Sequence, residues 1–268
     1  MDQFVIACID SPESAAVVLP VARHFAERLN HKGLMALHVS QDTGHSAQEP
    51  DEWLKTLGVP YVSLKGDWHT AIEGLPTAFG GILAVAALNP SAPRSSITHP
   101  LTLLRQFRDC KIAYLVVSGQ WTATTHFSSF NSALTLTHRR EGKEKLVWAS
   151  YLARFLGSGI TIAAPHYSDS GLRQKLNNNL RFVEKIFKPL NINYRTVSLN
   201  TKHFSLNTDL VALRQLHPDL LIARTSDPRE RDLIDLLFPK PEMQLLTHPS
   251  RTPILFLNPR DDLYILCD

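Results

Sequence analysis

The stretch Phe4-Val5-Ile6-Ala7-Cys8-Ile9 holds no polar side chain, and neither does Ile82–Leu88. A strand with one wet face alternates polar and apolar residues, so an unbroken apolar run implies a strand buried on both faces. That is the situation of a parallel sheet covered by helices, whose neighbouring strands need long, usually helical, crossovers. The segment after the first run supplies such a helix. Ser11 can cap it, Pro12 suits its first turn, and Glu13 complements its positive end. Ala15, Val18, Leu19, Ala22, Phe25, Ala26 and Leu29 then keep helical spacing, so one stripe can pack on a sheet. Pro20 predicts a kink within that helix. Gly33 ends it, and Leu34–Val39 reads as the second strand.

The alternation continues. A polar loop and a weak helix fall between Thr43 and Leu57, strand three is Tyr61–Leu64, and a helix covers Trp68–Phe79. Strand four is Ile82–Leu88, a helix covers His99–Arg108, and strand five is Ile112–Val117. The second half then repeats the plan. Leu134–His138 stands for strand one, followed by a helical stripe of Leu146, Ala149, Ser150, Ala153 and Leu156. Gly159-Ile160-Thr161-Ile162 parallels Gly33-Leu34-Met35-Ala36, and a helix over Leu172–Phe187 stops at Pro189. Val197-Ser198-Leu199 repeats Val62-Ser63-Leu64, while Leu220–Ala223 and Ile254–Leu257 match strands four and five. Matches that recur in one order along a chain are the mark of an internal duplication. The 268 residues are divided accordingly into domains at 1–120 and 130–268, with a Ser/Thr-rich linker, Ser118–Asn131, that lacks periodicity. The apolar tail Leu263-Tyr264-Ile265-Leu266 is expected to add to a sheet edge or cover the junction of the halves.

Composition narrows the function. A 44% hydrophobic share can fill two cores, and a net charge of +3 is too slight for a nucleic-acid partner. The densest basic cluster, Arg139, Arg140, Lys143 and Lys145, is interrupted by Glu141 and Glu144, as on a solvated helix face. Cys8, Cys110 and Cys267 are dispersed with no CxxC spacing, and neither a signal peptide nor the roughly 18-residue apolar run of a membrane span is visible. A soluble, cytoplasmic protein without a membrane partner is expected. No GxSxG elbow and no HExxH spacing occurs, so no enzyme is expected.

The strand–helix order, the opening Ile9-Asp10-Ser11-Pro12-Glu13-Ser14 and the closing Arg251-Thr252-Pro253-Ile254-Leu255-Phe256-Leu257 together resemble the universal stress protein family in its tandem form. The resemblance covers nearly the whole chain. It implies two Rossmann-like domains of the adenine nucleotide alpha hydrolase-like kind, each a five-stranded parallel sheet of order 3-2-1-4-5. It also implies a pseudo-dimer within one chain, with a homodimer as a further candidate, and a stress-associated role as a binding or regulatory protein with an unknown protein or small-molecule partner.

Nucleotide-binding members of that family carry an acid after strand one and a loop of the form G-x2-G-x9-G-[S/T] after strand four. The glycines let backbone amides approach the phosphates with no Cβ in the way. By this resemblance Asp10 would contact ribose and Val39 adenine. The first copy, however, reads Asn89-Pro90-Ser91-Ala92-Pro93-Arg94 after strand four. The second reads Arg224-Thr225-Ser226-Asp227 and later Phe238-Pro239-Lys240, with His138 at the acidic position. Prolines lack the amide donor and Asp227 repels a phosphate. No cofactor is therefore expected, with ATP or AMP as the candidates if one is held. Asp10 also suits a plain turn or capping role, and Arg94 and Arg224 a solvent-exposed one.

Two alternatives stay open. The Asp10 crevice could serve a residual adenine-nucleotide binder. Otherwise His138 and His166, with His38 and Asp169 nearby, could place metal ligands on adjacent strand ends, giving a metal-binding protein or an enzyme.

Overall fold

The computed structural model describes residues 3–29, 32–40, 52–119, 130–139, 143–200, 207–226 and 240–259. The chain divides into two compact units, Met1–Thr125 and His126–Asp268.

In the first unit β1 (Phe4–Cys8), β2 (Gly33–Ser40), β3 (Tyr61–Lys65), β4 (Gly81–Leu88) and β5 (Ala113–Ser118) are all parallel. Their order is β3-β2-β1-β4-β5. The apolar runs are the central strands: Val5, Ile6, Ala7, Cys8 and Ile9 are fully buried, as are Leu83, Ala84, Val85 and Ala86. Each large aliphatic or aromatic side chain so enclosed contributes about 1.5–3 kcal/mol. Helix α1 (Pro12–Arg28) packs on β1, β2 and β4 through Val18, Ala22 and Phe25. It is capped by Ser11 and Ser14, each side chain accepting from the other's backbone N–H. Helix α1 runs on past Pro20 as one element. Pro20 and Ala16, whose carbonyl it cannot bond, both lie on the solvent side, where water serves that carbonyl.

Helix α2 (Glu52–Lys55) is the described part of the weak helix. The expected helix over Trp68–Phe79 is divided at Gly74 into α3 (Trp68–Glu73) and α4 (Leu75–Ala78), with Pro76 in the first turn of α4. Helix α5 (Pro100–Gln106) is capped by His99, whose Nδ1 accepts from Leu101 N–H at 3.3 Å. Where β1 and β2 begin, Gly33 lies against Phe4. A Cβ there would stand 2.4 Å from the Phe4 ring, so any side chain at residue 33 would force the ring to move.

The second unit has β6 (Asn131–Thr135), β7 (Gly159–Pro165), β8 (Tyr194–Leu199), β9 (Leu220–Arg224) and β10 (Ile254–Leu257), again parallel, in the order β8-β7-β6-β9-β10. This is the 3-2-1-4-5 plan a second time. The connecting helices are α6 (Lys143–Leu156), α7 (Ser170–Phe187), α8 (Thr208–Leu216) and α9 (Pro241–Leu246).

The expected first strand of this half, Leu134–His138, is displaced. The strand is Asn131–Thr135 because its polar residues are satisfied internally. Ser132 Oγ bonds Ser158 Oγ at 2.7 Å, Asn131 Oδ1 accepts from Thr161 Oγ1 at 3.0 Å, and Asn131 N–H donates to the Asp219 carboxylate at 2.8 Å. At the start of β7, Gly159 faces Asn131, and a Cβ there would meet its nearest neighbours at an ordinary 3.7 Å. The linker residues 120–129 and the tail 263–266 lie outside the described residues.

Candidate functional site

Open α/β sheets bind ligands beyond the carboxyl ends of the strands, where the strand order reverses. In the first unit that place lies between β1 and β4. Asp10 follows β1 there, and its carboxylate is already occupied. Oδ2 accepts from Ser96 Oγ at 2.5 Å and from Ile97 N–H at 3.1 Å. Both donors belong to the segment between β4 and α5. That segment is braced by Asn89 N–H to Thr98 O at 2.9 Å, by Ser96 Oγ with Thr98 Oγ1 at 2.7 Å, and by Thr102 Oγ1 donating to Arg94 O at 2.5 Å. Asp10 N–H donates to Ser14 Oγ at 3.0 Å, which links the latch to the start of α1. Charge-assisted bonds of this kind are the stronger ones in a protein, so the loop is held down over the strand ends.

Val39, near the end of β2, is buried and pairs with Leu64. His38 beside it is buried as well, with Nδ1 3.2 Å from Ser63 Oγ and its ring edge-on to Trp53.

The corresponding place in the second unit lies between β6 and β9. Ile9 N–H bonds Leu37 O, and Leu136 N–H bonds Ala163 O. Ile9 and Leu136 are therefore equivalent, and the residue matching Asp10 is Thr137, not His138. Thr137 holds no acid, and its carbonyl accepts from Asn179 Nδ2 at 2.8 Å, tying the segment to α7.

His138 meets Tyr167 instead: Nδ1 lies 2.9 Å from Tyr167 Oη, with the rings edge-on. Burial foremost, then Arg139 and Lys175, holds the His138 pKa below the ordinary histidine value. His166 is exposed, and the Asp169 carboxylate caps α7 by accepting from Leu172 N–H at 2.8 Å. The ends of β6 and β7 are thus neighbours as expected, but His138 pairs with the residue after His166.

The second unit holds a buried charged pair at the carboxyl end of β6. Lys145 Nζ, near the start of α6, donates to Thr135 Oγ1 at 2.8 Å and lies 3.3 Å from Asp209 Oδ1 at the start of α8. Thr135 Oγ1 also donates to that carboxylate. Helix α6 leads from β6 to β7 and α8 from β8 to β9, in opposite directions across the sheet. Right-handed crossovers place them on opposite faces. The buried pair therefore joins the two helical layers around the carboxyl end of β6. Nearby, the Glu242 carboxylate accepts from Ser226 N–H, which fixes the chain leaving β9 to α9.

The sequence reading missed Ser96, Lys145 and Asp209. The first had a signal, because Ser95-Ser96 precedes α5 where the family pattern ends in G-[S/T]. Lys145 was read as part of a solvated basic face.

Among solved structures, the chain is similar to a universal stress protein of Pseudomonas aeruginosa. The TM-score is 0.61 at 15% identity, over 99% of this chain and 95% of that one. The fold is that of the universal stress proteins. A second example, from Archaeoglobus fulgidus, matches at a TM-score of 0.57 and 11% identity over 97% of each chain. The cytoplasmic domain of a prokaryotic cation chloride cotransporter is also similar, at a TM-score of 0.53 and 12% identity, over 96% of this chain and 95% of that one. No family model and no curated protein matches the sequence. No helix among the described residues is long and apolar enough to cross a membrane.

Proposed function

We propose that the chain is a non-catalytic, stress-associated binding or regulatory protein of the universal stress type, in which both nucleotide crevices are closed by the chain's own residues. The observation that carries this reading is the Asp10 carboxylate bonded to Ser96 and Ile97. Asp10, the acid that the family resemblance would set on a ribose hydroxyl, already holds the hydroxyl of Ser96, which lies in a loop whose prolines offer few amides to a phosphate. The Lys145–Asp209 pair supports the same reading for the second unit. Losing several amide–phosphate bonds at about 1.5–3 kcal/mol each removes the roughly 8 kcal/mol of a micromolar complex. A binding module without ligand turnover acts through its surface, and the cotransporter domain is a case of the fold attached to a larger machine.

The test is calorimetry of the intact chain with ATP and with AMP, paired with mass spectrometry of the freshly purified protein for retained nucleotide. No retained nucleotide and no binding below millimolar concentration is expected. Micromolar binding of either nucleotide would overturn the reading in favour of a residual binder using Asp10.

A further inference from the structure

Away from both crevices, His69, Glu73 and Asp109 bring one ligand atom each within 4.8 Å of one another, and they are the group of His, Cys, Asp and Glu that converges in this way among the described residues. His69 and Glu73 stand one turn apart on α3, whose other face is docked through Trp68, Ala71 and Ile72. Asp109 lies in the turn between α5 and β5. His69 Nε2 is the hub, 3.8 Å from Glu73 Oε1 and 3.7 Å from Asp109 Oδ2.

The other ring nitrogen decides the chemistry. His69 Nδ1 lies 3.4 Å from the Gln106 carbonyl oxygen. A carbonyl only accepts, so this contact requires the proton on Nδ1. In the neutral ring the Nε2 lone pair then faces two carboxylates, three acceptors with no donor among them. Water reaches all three groups, since each side chain is more than a third exposed, but an ion that joins them must be positive: a second ring proton or a metal ion.

The distances favour the metal. A proton shared between nitrogen and oxygen draws them to about 2.7–3.2 Å, well inside the observed spacing. Ligand atoms bonded tetrahedrally at about 2.0–2.2 Å from zinc stand roughly 3.3–3.6 Å apart, a few tenths of an ångström from the two distances at His69, while the two carboxylates lie within 4.8 Å of each other. The Nδ1–H to carbonyl contact is also the usual support of a metal-bound histidine, fixing the tautomer and making Nε2 more basic.

We propose that His69, Glu73 and Asp109 bind a divalent first-row transition cation, zinc being the best match for one imidazole and two carboxylates with water as fourth ligand. The ion would staple α3 to the turn after α5.

The experiment uses the full-length untagged chain, stripped with a chelator and titrated with zinc chloride by calorimetry, with cobalt absorption as a second readout. One site per chain with micromolar affinity is expected, together with a zinc-dependent rise in melting temperature. His69→Ala and, separately, Asp109→Asn should each weaken that affinity at least tenfold while leaving the circular dichroism unchanged. Wild-type binding weaker than millimolar overturns the proposal. So does affinity that survives both substitutions, or that is lost on His138→Ala but kept in His69→Ala.

Discussion

Asp10 and Ser96 are joined by a 2.5 Å hydrogen bond that spans the gap between the segment following β1 and the segment preceding α5. Asp10→Ala removes the acceptor and leaves both the Ser96 hydroxyl and the Ile97 N–H without it. Hydrogen bonds to a charged group are worth about 1.5–3 kcal/mol, so unfolding free energy should fall by about 2 kcal/mol in urea. Ser96→Ala added to that variant should cost little more, because the two residues share one interaction. Full additivity of the two losses would show that the latch is not a coupled unit.

Lys145 and Asp209 form a buried pair, and such pairs respond asymmetrically to substitution. Lys145→Met leaves the Asp209 carboxylate enclosed without its partner, a loss of about 3–5 kcal/mol. Replacing both, as Lys145→Met with Asp209→Leu, should recover most of the stability, since matched apolar side chains avoid the desolvation of two ions. Chemical denaturation of the single and double variants measures both numbers. A double variant as unstable as the worse single one would contradict the account.

Acidification should destabilise the fold. His24, His138 and His248 all have pKa values below the ordinary 6.5, because burial disfavours their charged form. Cationic neighbours add to this: Arg28 for His24, Arg139 and Lys175 for His138, Arg214 and His217 for His248. A depressed folded pKa means that the unfolded chain binds more protons between the two values, so stability rises with pH there. The contribution is complete above pH 6.5 and is lost as pH falls through the depressed values. Melting temperature should therefore be level from pH 8 to 7 and decline toward pH 5. His24→Gln should flatten that decline, and an unaltered profile would remove His24 from the explanation.

The thiols of Cys8 and Cys110 should be inert in the folded chain. Burial, and then the nearness of Cys110, pushes the Cys8 thiol far up, and burial raises Cys110 to about 12. The thiolate is the reactive form, so neither should take up a maleimide at pH 8 until the chain unfolds. Peptide mapping of label with and without denaturant tests this directly. Labelling of either residue within minutes under native conditions would refute it.

Most of the fold was legible in the chain because its central strands are apolar on both faces. Phe4–Cys8 and Gly81–Leu88 need no tertiary information to be recognised. The order of strands followed from the family resemblance, and the ladders agree with it. β6 was misplaced because Asn131 and Ser132 are polar yet enclosed, their partners being Thr161 and Ser158, remote in sequence. The candidate site was legible only in part. Asp10 could be singled out, but what occupies it could not, since Ser96 reaches it through the fold and not along the chain. The His69 group was invisible for the same reason: an i,i+4 His–Glu pair is common, and Asp109 joins it only when α5 is brought beside α3.

The two glycines that open β2 and β7 also bear on how this duplicated chain can drift. Gly33 is pinned by the ring of Phe4, whereas Gly159 faces Asn131 with space for a methyl group. Alanine at position 33 must push an aromatic ring aside, while alanine at position 159 meets only ordinary contacts. A scan of random substitutions should find the second copy permissive where the first is not. The same residue type at matching places in the two halves thus answers a steric demand at one and none at the other, and tolerance to replacement tells the two apart where identity cannot.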